Sequence, residues 1–245
     1  MEKLAGYCAV VVKMDKDNVH VHYHDKEYGF PIDDDNHLFA RLVLEINQAG
    51  LSWTTILNKK DNFFKAFDDF DIDKVARYGA KQRERLLNDA GIIRNRLKVD
   101  ATIENAKKIK ELQKEYGSFK KWLDAHHPLS KEEWVKLFKK TFKFTGGEIV
   151  GEFLMSTGYL PGAHVEACPI YPKVLKQKPA WVGAAAAKAA QTAAVKAKPA
   201  GAAETKPAAA TKAKSTTAAG AGSKPAGTST ATRSKSTRTA TKSKK

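Results

Sequence analysis

The stretch LEINQAGLSW, residues 44–53, sets a carboxylate among apolar residues and follows it with a glycine, a serine and a tryptophan. A glutamate is seldom fully buried without a partner, so Glu45 either faces water or answers to something in a pocket. The histidines and cysteines form a second group. YHDKEYGFP supplies His24, GAHVEAC supplies His164 and Cys168, and the chain's other cysteine is Cys8. Two sulfurs and two imidazoles are a donor set for tetrahedral zinc, and the His-x-x-x-Cys spacing lets both side chains turn toward one ion. Such a site would clip the N-terminal segment to the end of the domain. With seven histidines in the chain, two distant half-motifs also arise by chance, so the residues alone leave Cys8 and Cys168 as plain thiols or as ligands.

A third group is LLNDAGIIRNRLK, residues 86–98. A glycine and two isoleucines between helices predict a tight hairpin whose apolar side chains plug the gap between those helices. Backbone amides around Gly91 and Ile92 and at the start of the next helix would then face a phosphate, with Arg94, Arg96 and Lys98 adding charge. This is the physical form of a helix-hairpin-helix DNA-binding unit; the alternative is an ordinary helix turn with a solvated basic face.

The elements that must position these residues read as helices. In HLFARLVLEINQAG the apolar residues Leu38, Phe39, Leu42, Ile46 and Ala49 share a face, and Gly50 suits a helix end. Glu45 falls roughly 80° from the centre of that stripe, at the margin of the core face. Ser52 is placed to cap a second helix, WTTILNKKDNFFKAF, and the turn brings Glu45 near Trp53. Helical stretches continue through KQRERLLNDA, RNRLKVDATIENAKKIKELQKEY, SKEEWVKLFKKTF and GEIVGEFLMSTG, the third with a Ser130/Glu133 capping box. No strand run and no repeat stands out, so the fold class is all-α. His20 and His22 read as surface residues, and His126 and His127 as part of a loop before Pro128.

Composition divides the chain into a domain, residues 1–182, and a tail, residues 183–245. The tail holds 13 Lys and Arg against Glu204 alone, a net +12 of the chain's +16, and its only bulky aliphatic is Val195. It is expected to be disordered and to act as a polyanion-binding arm, with a purely solubilising role as the alternative. No segment reads as a secretory signal or a membrane span, which points to a cytoplasmic protein without a membrane partner.

Five blocks, YHDKEYGFP, LFARLVLEINQAGLSWTTIL, LLNDAGIIRNRLK, FKFTGGEIVGEFLMSTGYL and GAHVEAC, in this order over most of residues 20–170, resemble the bacterial DNA-3-methyladenine glycosylase I family. The resemblance implies a helix-hairpin-helix DNA glycosylase fold with a structural zinc clip, acting on double-stranded DNA with alkylated adenine and leaving an abasic site. It further implies that Glu45 contacts the methylated base, that Trp53 and Tyr23 line the pocket, and that His24, His164, Cys168 and Cys8 hold Zn2+. Nothing calls for more than a monomer. Val10 stands where the family usually has a tryptophan, and Tyr28 replaces another. That altered CAV segment favours the alternative, a zinc-stapled DNA-binding protein without base excision; Glu45, Tyr23 and Trp53 together favour the enzyme.

Overall fold

The computed structural model describes residues 3–183, and every regular element among them is helical. In chain order these are α1 (Gly6–Val11), α2 (Val19–Lys26), α3 (Asp35–Gln48), α4 (Trp53–Ala66), α5 (Ile72–Val75), α6 (Ala80–Asn88), α7 (Arg96–Tyr116), α8 (Phe119–His126), α9 (Lys131–Thr141), α10 (Gly147–Ser156) and α11 (Tyr171–Lys176). The expected basic tail, from residue 184 onward, lies outside the described residues.

The central member is α3. Its apolar stripe, Leu38, Phe39, Leu42 and Ile46, is wholly buried, and each such side chain contributes roughly 1.5–3 kcal/mol by leaving water. The helix starts where the Asp34 carboxylate accepts the His37 amide. It stops before Gly50, whose φ of 81° is a left-handed conformation that glycine adopts without strain. Ser52 then caps α4 through the Thr55 amide, as expected. The neighbouring Asp35 ties α3 to α8, because its carboxylate accepts the Phe119 and Lys120 amides, two of the donors a helix start leaves over.

Around α3 pack α4, α7, α8 and α10, with Phe119, Trp122, Phe138 and Phe153 meeting edge-on or stacked in one buried aromatic group. The capping box at Ser130 and Glu133 forms. Helix α7 begins at Arg96 rather than Arg94, because the Asn95 side chain accepts the Lys98 amide and fixes the start there.

Five helices were not legible from spacing: α1, α2, α5, α11 and α8, the last of which takes in His126, expected in a loop. They are four to eight residues long, and in α2 the run VHVHYHDK alternates valine and histidine without a helical stripe. Asn18, accepting the His20 amide, is the local signal that starts α2.

Candidate active site and metal centre

A cavity of about 450 Å³ opens between the start of α4, the end of α3, the N-terminal helices and α10. It is lined by Tyr7, Tyr23, Tyr28, Glu45, Gln48, Trp53, Glu148 and Glu152. The three residues expected in the pocket are therefore brought together in it. Tyr23 meets Trp53 edge to face with ring centroids 5.1 Å apart, and lies 5.5 Å from Tyr28. Arg41, itself buried, donates to the Tyr23 hydroxyl at 3.1 Å and sits 4.9 Å from its ring centroid, while Glu27 takes the other arm of the guanidinium. That brace fixes the ring that faces the cavity.

Glu45 is 4% exposed, deeper than a marginal position on the helical wheel implies. Among the described residues no donor hydrogen-bonds its carboxylate. Burial pushes its pKa from 4.5 to about 8, with Arg41 opposing and the carboxylate of Glu152 adding to the rise. An unpartnered buried acid is destabilising unless something else occupies the space before it. A cavity floored by this acid and walled by aromatic faces suits a flat ligand that carries N–H donors and positive charge.

Behind the aromatic wall lies a candidate metal centre. Cys8, His24, His164 and Cys168 are all buried, and one ligand atom from each lies within 4.8 Å of the others. Cys168 Sγ is 3.6 Å from His24 Nε2 and 3.5 Å from His164 Nδ1, and Cys8 Sγ is 3.7 Å from the same Nδ1. A tetrahedron with bonds of ~2.0–2.3 Å has edges of about 3.5 Å, so the four donors fit a zinc-sized ion. The outer nitrogens are engaged as metal-binding histidines require: His24 Nδ1 lies 2.7 Å from the Asp25 carboxylate, and His164 Nε2 lies 2.7 Å from the Tyr28 carbonyl. Those acceptors place the N–H outward and aim each ring's lone pair at the cluster. Both cysteines are free thiols, as the sequence allowed.

A family model described as Methyladenine glycosylase matches residues 13–133. DNA-3-methyladenine glycosylase 1 of Escherichia coli K12 is 36% identical over 176 residues, covering 64% of this chain and 94% of that protein. The chain belongs to the DNA-3-methyladenine glycosylase I family. Solved structures agree in fold. A tyrosine-to-phenylalanine variant of 3-methyladenine DNA glycosylase I in complex with 3-methyladenine gives a TM-score of 0.59 at 34% identity, covering 65% of this chain and 96% of its own. The Staphylococcus aureus enzyme, described for its recognition of 3-methyladenine, gives 0.59 at 33%, covering 67% and 97%.

Within this glycosylase family framework, one wall of the pocket differs from the sequence reading. Val10 is 53% exposed on α1 and stays away from the cavity, whereas Tyr7, immediately before the cysteine, lines it. Tyr7 stands perpendicular to Tyr28 with centroids 5.6 Å apart. Its hydroxyl lies 2.8 Å from His20 Nδ1, and His20 Nε2 lies 2.8 Å from the Thr54 hydroxyl. His20, expected at the surface, is thus a buried strut between α1 and α4, while His22 is exposed. The missed signal was adjacency: Tyr7–Cys8 and Tyr23–His24 each set an aromatic beside a candidate ligand, and both aromatics line the cavity.

The hairpin between α6 and α7 forms, with Ile92 buried in the core and Arg94 and Arg96 exposed. Three of its expected contacts are corrected: the Ile92 amide donates to the Asp89 carbonyl at 3.4 Å instead of facing a phosphate. The Gly91 amide turns inward to the Asp89 carboxylate at 2.7 Å, so it is not available to a phosphate. Lys98 is 5% exposed and donates to the Asn47 and Ala49 carbonyls at 2.8 and 2.7 Å, capping the end of α3 instead of facing outward. The outward donors are the amides of Ile93, Arg94, Arg96 and Leu97, which have no partner among the described residues. Lys59 of α4 holds the turn from below through the Ala90 and Gly91 carbonyls.

Proposed function

We propose that this protein hydrolyses the N-glycosidic bond of 3-methyladenine in alkylated double-stranded DNA and leaves an abasic site. The observation that carries the reading is the Glu45 carboxylate, buried and without a hydrogen-bond partner, at the floor of a cavity walled by Tyr23, Trp53, Tyr28 and Tyr7. Adenine methylated at N3 is a cation and already a good leaving group, so strong acid catalysis is unnecessary. The tasks left to the protein are extrusion of the nucleotide, stacking of the cationic ring and recognition of its edge.

Glu45 accepts an N–H of the flipped base. The cation lowers the carboxyl's pKa, so a group held neutral in the free pocket ionises against the ligand that needs it. Trp53 and Tyr23 supply the stacking faces. Water then attacks the deoxyribose C1′ as the bond to the base breaks through an oxocarbenium-like state. Among the described residues no lysine lines the cavity, which supports hydrolysis that ends at the abasic site.

The remaining assignments belong to the same reading. Cys8, His24, His164 and Cys168 hold a structural Zn2+, whose chemistry is to tie α1 to the segment before α11 and thereby set Tyr7 and Tyr23 in place. The hairpin binds the DNA backbone through the free amides around Arg94 and through Arg94 and Arg96. Residues 183–245 form a separate basic arm on DNA, and the protein works as a monomer in the cytoplasm. No helix among the described residues is long and apolar enough to cross a membrane.

An inactive DNA-binding protein was favoured by the CAV segment alone, and Tyr7 restores an aromatic side to the pocket without it. The deciding experiment is chromatography of bases released from methylated duplex DNA. Wild type is expected to release 3-methyladenine, and Glu45→Gln to lose at least about a hundredfold of that rate while still binding duplex. Release unchanged in Glu45→Gln would remove Glu45 from the mechanism; no release by folded, metal-loaded wild type would return the reading to a binding protein.

A further inference from the structure

The cavity has a second acidic side that the chemistry above leaves unused. Glu148 and Glu152 project from successive turns of α10 into the same lining as Glu45. Their situations differ. Glu148 is 90% exposed and lies 3.5 Å from Lys131, so it belongs to the rim. Glu152 is half-buried and accepts a hydrogen bond from the Tyr28 hydroxyl at 3.1 Å. Burial and the nearby Glu148 raise its pKa, with Tyr28 and Lys131 opposing.

Two carboxylates in one aromatic-walled cavity destabilise each other when both are charged, and no cation of the protein hydrogen-bonds either one. Arg41, the cation nearest Glu45, is directed to Tyr23 and Glu27. Lys131 is drawn to Glu148 at the rim. A neutral ring can donate an N–H to Glu45, but it costs each acid hydration on entry and brings no charge to offset it. A ring that brings its own positive charge favours ionisation of both acids and offsets the repulsion between them.

We infer that Glu152, held in position by the Tyr28 hydroxyl, is a second recognition residue of the base pocket and makes it select cationic over neutral bases. The inference rests on the assignment of the cavity as the base pocket. It differs from the role of Glu45, which reads the edge of the base: Glu152 acts on charge, and its effect follows the ligand's charge rather than its donor pattern.

The test uses two ligands that share the methylated ring. One is 3,9-dimethyladeninium, a fixed cation whose methyl group on the glycosidic nitrogen cannot be cleaved by hydrolysis. The other is 3-methyladenine in its uncharged form in mildly alkaline buffer. Calorimetric titration of the full-length, metal-loaded protein compares wild type with Glu152→Gln, Glu152→Asp and Tyr28→Phe. Glu152→Gln is expected to weaken the cation about tenfold and the neutral base less than about twofold. Glu152→Asp retains the charge and keeps most of the preference, and Tyr28→Phe loses part of it.

Equal weakening of both ligands in Glu152→Gln, or no change in either, overturns the inference and leaves Glu152 as a support for Tyr28. Base release by wild type is measured alongside. Release with no loss of charge preference in Glu152→Gln sinks this inference alone. Absence of release together with no binding of either ligand sinks the pocket assignment and the inference with it.

Discussion

The Cys2His2 cluster and the acid-floored cavity share a wall, yet they treat buried polar groups in opposite ways. In the metal centre every donor is directed: His24 is oriented by Asp25, His164 by the Tyr28 carbonyl, and both thiols meet the imidazoles at tetrahedral-edge distances. In the pocket Glu45 is equally buried and has no hydrogen-bond partner. The first arrangement is a complete tetrahedral donor set supplied by the chain itself. The second is incomplete without an external ligand, and that incompleteness is what makes it a site.

The largest expected effect breaks the comparison at Glu45 and is read in stability as well as in base release. Its pKa is raised from 4.5 to about 8 by burial, so at neutral pH the folded protein keeps a proton that the unfolded chain has lost. The stability this group supports is complete below its unfolded value and is withdrawn as pH rises through its folded value. Glu45→Gln does not titrate. The variant should therefore match wild type near pH 5 and exceed it in mild alkali, by an amount on the order of several kcal/mol. Thermal unfolding across this pH range decides it; parallel curves for the two proteins would mean that Glu45 is ionised and partnered in the folded state.

On the other side of the wall, Cys168→Ser should lower metal content and reduce Tm by roughly 10 °C, because the ligand set joins residues far apart in the chain. Base release should fall with it, since Tyr7 and Tyr23 adjoin ligands. Full metal content and an unchanged Tm would show that the cluster is only a set of packed thiols and imidazoles.

Removing residues 183–245 tests whether the arm acts on DNA separately from the domain. Twelve net positive charges leave with it, so duplex affinity should drop and its dependence on salt should flatten, each lost phosphate contact reducing the slope by about 0.9. The ratio of methylated to unmethylated binding should hold. A salt slope equal to that of the full chain would leave the segment without a role on phosphates.

How much of this was legible depended on what each residue answers to. The spacing of Leu38, Leu42 and Ile46 and the caps at Ser52 and Ser130 are local, and the corresponding helices appeared within a residue or two. The ligand set was nameable by residue type, and its geometry awaited the packing that brings residues 8 and 168 together. Lys98 went wrong because a basic residue in a basic run reads as exposed, whereas here the carbonyls ending α3 draw its ammonium inward. Tyr7 and His20 escaped because their bonds are long-range: Tyr7 meets His20 13 residues on, His20 meets Thr54 a further 34 residues on, and no pattern links the three. Glu152 sits on a helix that was read correctly, but nothing in its spacing says that its free face meets Glu45.

The smallest expected effect lies on the shared wall. Tyr7→Phe keeps the ring against Tyr28 and deletes only the hydroxyl that engages His20. A single neutral hydrogen bond contributes about 1 kcal/mol, so Tm should fall by only a few degrees and metal content should not change. If the strut between α1 and α4 sets the pocket's width, affinity for free 3-methyladenine should drop several-fold in this variant. His20→Gln, which loses contact with both Tyr7 and Thr54, should fall at least as far. Combining the two should add little, because both substitutions cut the same strut. Additive losses would instead mean that Tyr7 and His20 act separately, and that the wall is held by its aromatic packing rather than by the hydrogen bonds behind it.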